Sequence, residues 1–207
     1  MIITYILIGL SVIASIYAWN RTDKLYAWML NPYAVVHRNQ YYRILTSGFI
    51  HHDWTHLLFN MITLYFFGRN MEYVFSYLYG SEGIIYYVAL YFIGMVVADI
   101  PSIIKHREQP NYNSLGASGA VSAVLFASIL FNPTSKIYLF FIPVGIPGYI
   151  FGALYLIYSY YQGKKMSDNI NHDAHLYGAL FGIIFSILIR PSVIPHFFDQ
   201  ILNHRIF

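Results

Sequence analysis

The stretch Ile84-Ile85-Tyr86-Tyr87-Val88-Ala89-Leu90-Tyr91-Phe92-Ile93-Gly94-Met95-Val96-Val97-Ala98 decides the fold class. It holds no charge and no polar face, so as a helix it has nothing to turn toward water and belongs in a large core or in lipid. Extended to 83–104, it reaches the roughly 20 residues that cross a hydrocarbon layer. The rest of the chain argues for lipid. Of 207 residues, 57% are hydrophobic and 10% charged, the mean hydropathy is +0.50, and the charges fall in short gaps between apolar runs rather than on alternate faces. The same length criterion places further spans at 2–19, 54–74, 115–131, 148–162 and 174–190, six in all. No Lys or Arg precedes the first run, and its apolar core is long for a cleaved leader, so it reads as the first transmembrane helix. The fifth is the least apolar, with Tyr155, Tyr158, Tyr160 and Tyr161 in the manner of an interfacial belt.

The gap from Asn20 to Asp53 is too polar to span and too rich in large apolar residues for a hydrated loop. It is expected to lie on the membrane, with Tyr26, Trp28, Leu30, Tyr33, Val35 and Val36 in the headgroup boundary and Arg21, Lys24, Arg38 and Arg43 in water. The other connections carry turn formers, at 80–83, 110–113, 132–133 and Gly163. Neither a soluble domain nor a repeat is visible, so 1–207 reads as one polytopic unit. The absence of cysteine excludes a disulfide framework, a thiol nucleophile and Cys-ligated metal. A formal charge of +3 without a polybasic block gives nucleic acid nothing to bind.

Polar groups at membrane depth are costly and mark function by default. Three groups stand out. His56 and Asn60, four apart at the start of the second span, share a helix face and both donate hydrogen bonds. In Gly116-Ala117-Ser118-Gly119, opening the fourth span, glycines flank a serine at a helix start, where free backbone N–H groups are the raw material of an oxyanion hole. In Ala174-His175-Leu176-Tyr177-Gly178-Ala179-Leu180-Phe181-Gly182, opening the sixth span, Gly178 and Gly182 follow His175 at i+3 and i+7, so another helix can approach the imidazole closely. Taken singly, each pattern is better explained without catalysis: His56 as an interfacial side chain with Asn60 tying two helices, the small residues around Ser118 as close helix packing, and Gly178 and Gly182 as a packing pair beside a boundary histidine. Their parity is what unites them: alternating spans put the N-terminal ends of the second, fourth and sixth on one side of the membrane. The fourth span is short, about 25 Å for 17 residues, which leaves Ser118 beneath the surface with water entering from one face.

At these residues the sequence resembles the rhomboid family of intramembrane serine proteases, over roughly Pro32 to Pro191. The family's Gly-x-Ser-Gly stands at Gly116, Ser118 and Gly119, its His-x-x-x-Asn at His56 and Asn60, and its Ala-His-x-x-Gly-x-x-x-Gly at Ala174, His175, Gly178 and Gly182. Tyr42-Arg43 falls where the family often has Trp-Arg, and Gly68 and Glu72 fit the end of its second helix. The resemblance implies an all-α membrane protein, a six-transmembrane-helix bundle with an interfacial first loop. It also implies a dyad in which Ser118 attacks the scissile carbonyl and His175 takes its proton, with His56, Asn60 and the Ser118 amide holding the oxyanion. Neither cofactor nor metal is expected. The substrates would be transmembrane proteins with helix-destabilising residues near the cut, and the location a multi-pass place in a cell membrane, a bacterial inner membrane. Ser122 stands four residues after the nucleophile, where many relatives carry an aromatic ring against the catalytic histidine, so another group has to fix the imidazole here.

Two other readings use the same residues. His52-Asp53-Trp54-Thr55-His56 looks like the zinc-protease His-Glu-x-x-His with Asp for Glu, and His172 or Asp173 would supply a third ligand. A proteolytically inactive relative, or a transporter, would bind membrane helices without cutting them. The basic residues of the odd-numbered gaps, Arg21, Lys24, Arg38, Arg43, Lys105, Arg107, Lys164 and Lys165, outnumber Arg69, Lys136, Arg190 and Arg205 opposite. The positive-inside rule then puts the odd gaps in the cytoplasm, against the family topology.

Overall fold

The computed structural model describes residues 2–139, 142–165 and 170–204. Helices α1 (Ile2–Trp19), α2 (Thr22–Trp28), α3 (Pro32–Arg38) and α4 (Tyr42–Thr46) lead into a near-continuous rod made of α5 (Trp54–Thr63), a π-helical turn at Leu64–Gly68 and α6 (Arg69–Tyr79). There follow α7 (Gly83–His106), α8 (Ser118–Phe131), a hairpin of β1 (Lys136–Leu139) with β2 (Ile142–Pro147), and then α9 (Gly148–Lys165), α10 (His172–Ile189) and α11 (Val193–Leu202). The strands pair antiparallel.

Helices α1 and α10 turn small or hydroxylated residues inward and large apolar ones outward. Helix α1 buries Thr4, Leu7, Ser11, Ser15 and Ala18, while Ile2, Ile6, Leu10 and Ile13 face outward. Helix α10 repeats this, burying Ala174, Gly178, Ala179, Gly182 and Ser186 and exposing Tyr177, Leu180, Ile184 and Leu188. A water-soluble fold inverts that order, whereas in lipid the large apolar side chains face the solvent and small or hydroxylated ones mediate helix contacts. The segments Ile2–Trp19, Trp54–His106 and His172–Ile189 are long and apolar enough to cross a membrane; α8 is apolar but shorter, and the tyrosine-rich α9 is not among them. The protein is an α-helical membrane protein.

Helix α8 is the axis of the bundle, buried at every residue from Gly119 to Phe131. Small residues on two neighbours permit this. On α7, a Cβ added to Gly94 would lie 2.8 Å from the Ala123 Cβ. On α10, a Cβ on Gly178 would strike the carbonyl oxygen of Gly119, and one on Gly182 that of Ala123. Backbone therefore meets backbone along the α8–α10 seam, which accounts for both glycines.

The expected fourth span, 115–131, begins instead at Ser118. The preceding residues are held extended: Leu30 and Ser114 exchange backbone hydrogen bonds, Gly116 N–H donates to the Ser47 carbonyl at 2.9 Å, and Gly116 has φ 123°. The second span runs on to Tyr79, and Gly163, expected in a connection, lies within α9.

The 20–53 segment departs from a purely interfacial element. Leu30 and Val35, expected among the lipid headgroups, are buried in the protein, while Tyr26 and Val36 do face outward. The segment is tied down by side chains donating to backbone carbonyls: the Arg43 guanidinium to those of Tyr26 and Met29 within it, and the Asn31 amide to those of Pro110 and Tyr112 in the connection before α8. Both the hairpin and α11 are additions to the expected architecture. Arg205, counted among the loop charges, lies outside the described residues.

At the far end of the α5–α6 rod, Glu72 caps α1. Its carboxylate accepts the N–H groups of Ile3 and Thr4, each at 3.0 Å, and the Thr4 hydroxyl at 2.7 Å. Uncapped amides and a positive helix end are thus satisfied in one place.

Candidate functional site

The site is assembled where α5, α8 and α10 begin. Asp53 caps α5, its carboxylate accepting the His56 N–H at 2.8 Å, and that bond holds its pKa below the ordinary carboxylate value. This fixes the first turn, on which His56 points at the segment before α8. Gly116 is the contact: a Cβ there would lie 2.6 Å from Cε1 and 2.7 Å from Nε2 of His56. Both its positive φ and this approach demand glycine. One turn along α5, the buried Asn60 donates from Nδ2 to the His56 carbonyl at 2.9 Å.

Ser118 occupies the first turn of α8. The N-cap, Ala117, offers no side-chain cap, so the amides of this turn have no acceptor within the helix. Ala117 N–H itself donates to His51 Nε2 at 3.3 Å. His51 is fully buried, and its Nδ1 lies 3.0 Å from the Ser15 hydroxyl. With Nε2 accepting, Nδ1 carries the proton and donates to Ser15. Burial, followed by the neighbouring His56, lowers the His51 pKa to about 3, so this brace is neutral. It links α1 to the backbone just ahead of the serine.

His175 lies one turn before Gly178 on α10. Residues flanking the serine and the histidine meet: a Cβ on Gly119 would sit 3.5 Å from the Ala174 carbonyl oxygen. His175 has the Tyr155 ring of α9 parallel to it, with centroids 6.2 Å apart and planes at 16°. The His172 ring stands edge-on at 5.8 Å. Ser118 also lines a cavity shared with Ser47, Asp99, Ser114, Gly116 and Asn171. The structure thus brings the N-terminal ends of α5, α8 and α10 together and sets Gly119, Gly178 and Gly182 at contacts between helices, with Gly116 against His56.

The residues of the zinc reading are dispersed among other contacts. His52 pairs with Asp53 at 3.2 Å on the exposed surface, Asp173 pairs with Lys105 of α7 at 3.1 Å, and His172 packs against Tyr158. Among the described residues no three His, Asp or Glu side chains converge.

Three neighbours of the site carry weaker sequence signals. His51 was one of three histidines in a short run, with nothing to separate its buried place from that of exposed His52. Asp99 directly follows the uncharged stretch 84–98, and a carboxylate there is itself the signal. Tyr155 reads as one more ring of an aromatic belt.

A helical membrane protein with a serine and a histidine borne on adjacent glycine-packed helices belongs to a small set of classes. The Rhomboid domain model matches residues 38–192. This chain belongs to the rhomboid family. It is 30% identical over 165 residues to "RHOMBOID-like protein 12, mitochondrial" of Arabidopsis thaliana, covering 72% of this chain and 46% of that protein. To "Rhomboid-like protein 11, chloroplastic" of the same plant it is 28% identical over 162 residues, covering 70% and 51%. The chain thus spans about half the length of these relatives. Their names point to mitochondrion and chloroplast, so the expected bacterial inner membrane draws no support from them; a membrane location stands.

Proposed function

We propose that the protein is an intramembrane serine endopeptidase in which Ser118 is the nucleophile and His175 its general base. The observation that carries this is the seam between α8 and α10, where Gly178 and Gly182 bring the two backbones into contact and leave the serine and the histidine one residue from touching neighbours. A serine hydroxyl is a weak nucleophile until a base within hydrogen-bond reach accepts its proton. As Ser118 attacks, that proton passes to His175 and then to the leaving amine. The tetrahedral oxyanion is received by the Ser118 amide, His56 and Asn60, donors fixed before the reaction begins. The polar cavity beside Ser118 has room for the hydrolytic water, and water or protein beside it is what bare backbone at membrane depth requires.

On this reading the chain is a single six-span unit, with α1, α5–α6, α7, α8, α9 and α10 crossing the bilayer and the 20–53 segment at its surface. The substrates are transmembrane segments that unwind readily near the cut. The test is reconstitution in liposomes with single-span peptides bearing Gly or Pro within the span. Cleavage abolished by Ser118→Ala is expected. Binding of such peptides without cleavage, unchanged by Ser118→Ala, would overturn the reading in favour of a non-proteolytic binder.

A further inference from the structure

We infer that Tyr155 of α9 is the positioning residue that sets the plane of the His175 imidazole, and that Ser122 holds Tyr155 in place. The inference rests on the dyad proposed above and adds a residue to it from a third helix.

A base that accepts a proton from Ser118 at one nitrogen has to keep its ring plane through the reaction. A ring packed beside an imidazole narrows the range of its two side-chain torsions. The Tyr155 ring does so, offset and parallel at 6.2 Å and 16°, a separation within the range of offset aromatic pairs. Tyr155 is itself constrained on every side that matters. Its hydroxyl lies 2.9 Å from that of Ser122, a buried residue one turn beyond Ser118 on the same face of α8. Its ring packs against Phe126 of α8 at 5.4 Å and Phe151 of α9 at 5.9 Å. Tyr155 also joins the cluster containing Ala179, one turn beyond His175. A second wall is His172 of α10, edge-on to His175 and itself packed on Tyr158 of α9.

The Ser122–Tyr155 pair therefore does two things. It joins α9 to α8 directly beneath the nucleophile, and it fixes the height of the ring against the base. A small residue is needed at 122, because a larger side chain there would occupy the space the phenol enters.

The experiment measures kcat and KM for a single-span substrate in liposomes, with thermal unfolding in parallel, for Tyr155→Leu, Tyr155→Phe, Ser122→Ala and the Tyr155→Phe/Ser122→Ala double variant. Leucine fills the space but has no plane. Expected is a kcat lower by roughly 10- to 100-fold for Tyr155→Leu at unchanged KM, the scale of a sub-ångström to ångström misplacement of a catalytic group. Tyr155→Phe keeps the ring and should recover most of kcat. Ser122→Ala should match it, and the double variant should lose no more than either alone, because both remove one bond. A Tyr155→Leu enzyme with unchanged kcat, or one whose loss follows its unfolding temperature and is not recovered by Tyr155→Phe, would overturn the inference. If wild-type cleavage persists in Ser118→Ala, the dyad itself has failed, and that outcome is separate from a failure at Tyr155.

Discussion

Replacing Gly178 by alanine probes the seam on which the site is built. The added Cβ would lie 2.9 Å from the carbonyl carbon and 3.1 Å from the Cα of Gly119, with the Gly119 carbonyl oxygen closer still. Comfortable carbon–carbon contact is about 3.5–4.0 Å, and all three atoms are backbone, which cannot rotate aside. The helices have to part by roughly 1 Å, and displacement of that size in a reacting pair costs about 10²-fold in rate. Overpacking of this kind destabilises by about 1–3 kcal/mol, less than enough to unfold a sound bundle. The assay is cleavage of a single-span substrate in liposomes beside thermal unfolding of the same preparations. Gly152→Ala is the control, since its Cβ would meet only side-chain atoms at 3.4–3.6 Å, and it should retain activity. A Gly178→Ala protein that folds and cleaves at the wild-type rate would refute the reasoning.

Other outcomes follow from single contacts. Asn60→Ala should slow turnover by about 10²–10³-fold, the usual loss for one oxyanion donor, without abolishing it. His51 is neutral in the fold, its pKa lowered from 6.5 to about 3, whereas an unfolded chain protonates it; stability is thus fully present above about pH 6.5 and lost as pH falls. By pH 5 the loss should be about 2 kcal/mol, read as a steeper acid dependence of unfolding than that of His51→Gln; equal slopes would contradict it. Asp53→Ala removes the cap of α5 and should cost about 1 kcal/mol in unfolding measurements. Glu72→Leu leaves the first amides of α1 without their acceptor, and early proteolysis between α1 and α2 should report the loosened helix.

Much of the architecture was legible because lipid imposes simple rules. The uncharged run at 84–98 fixed one span, and its length criterion located α1, α7 and α10 to within a few residues. Gly178 and Gly182 announced a close neighbour, and α8 is that neighbour. What escaped was decided by long-range contacts. The start of α8 moved to Ser118 because Leu30, from a segment expected among the headgroups, bridges to Ser114 and holds the chain extended. Tyr155 is one of several tyrosines on α9, and contacts with other helices, to Ser122 and to the His175 ring, set it apart. The 136–147 hairpin pairs two short segments whose alternation is too brief to register as strands.

The claim on which the account depends is that Ser118 and His175 act as one unit. Labelling of the detergent-solubilised protein with a fluorophosphonate probe, comparing wild type with Ser118→Ala and His175→Ala, tests it directly. The account predicts strong labelling of the wild type alone, since Ser118→Ala has no hydroxyl and His175→Ala no base to activate it. Equal labelling of all three proteins would contradict it.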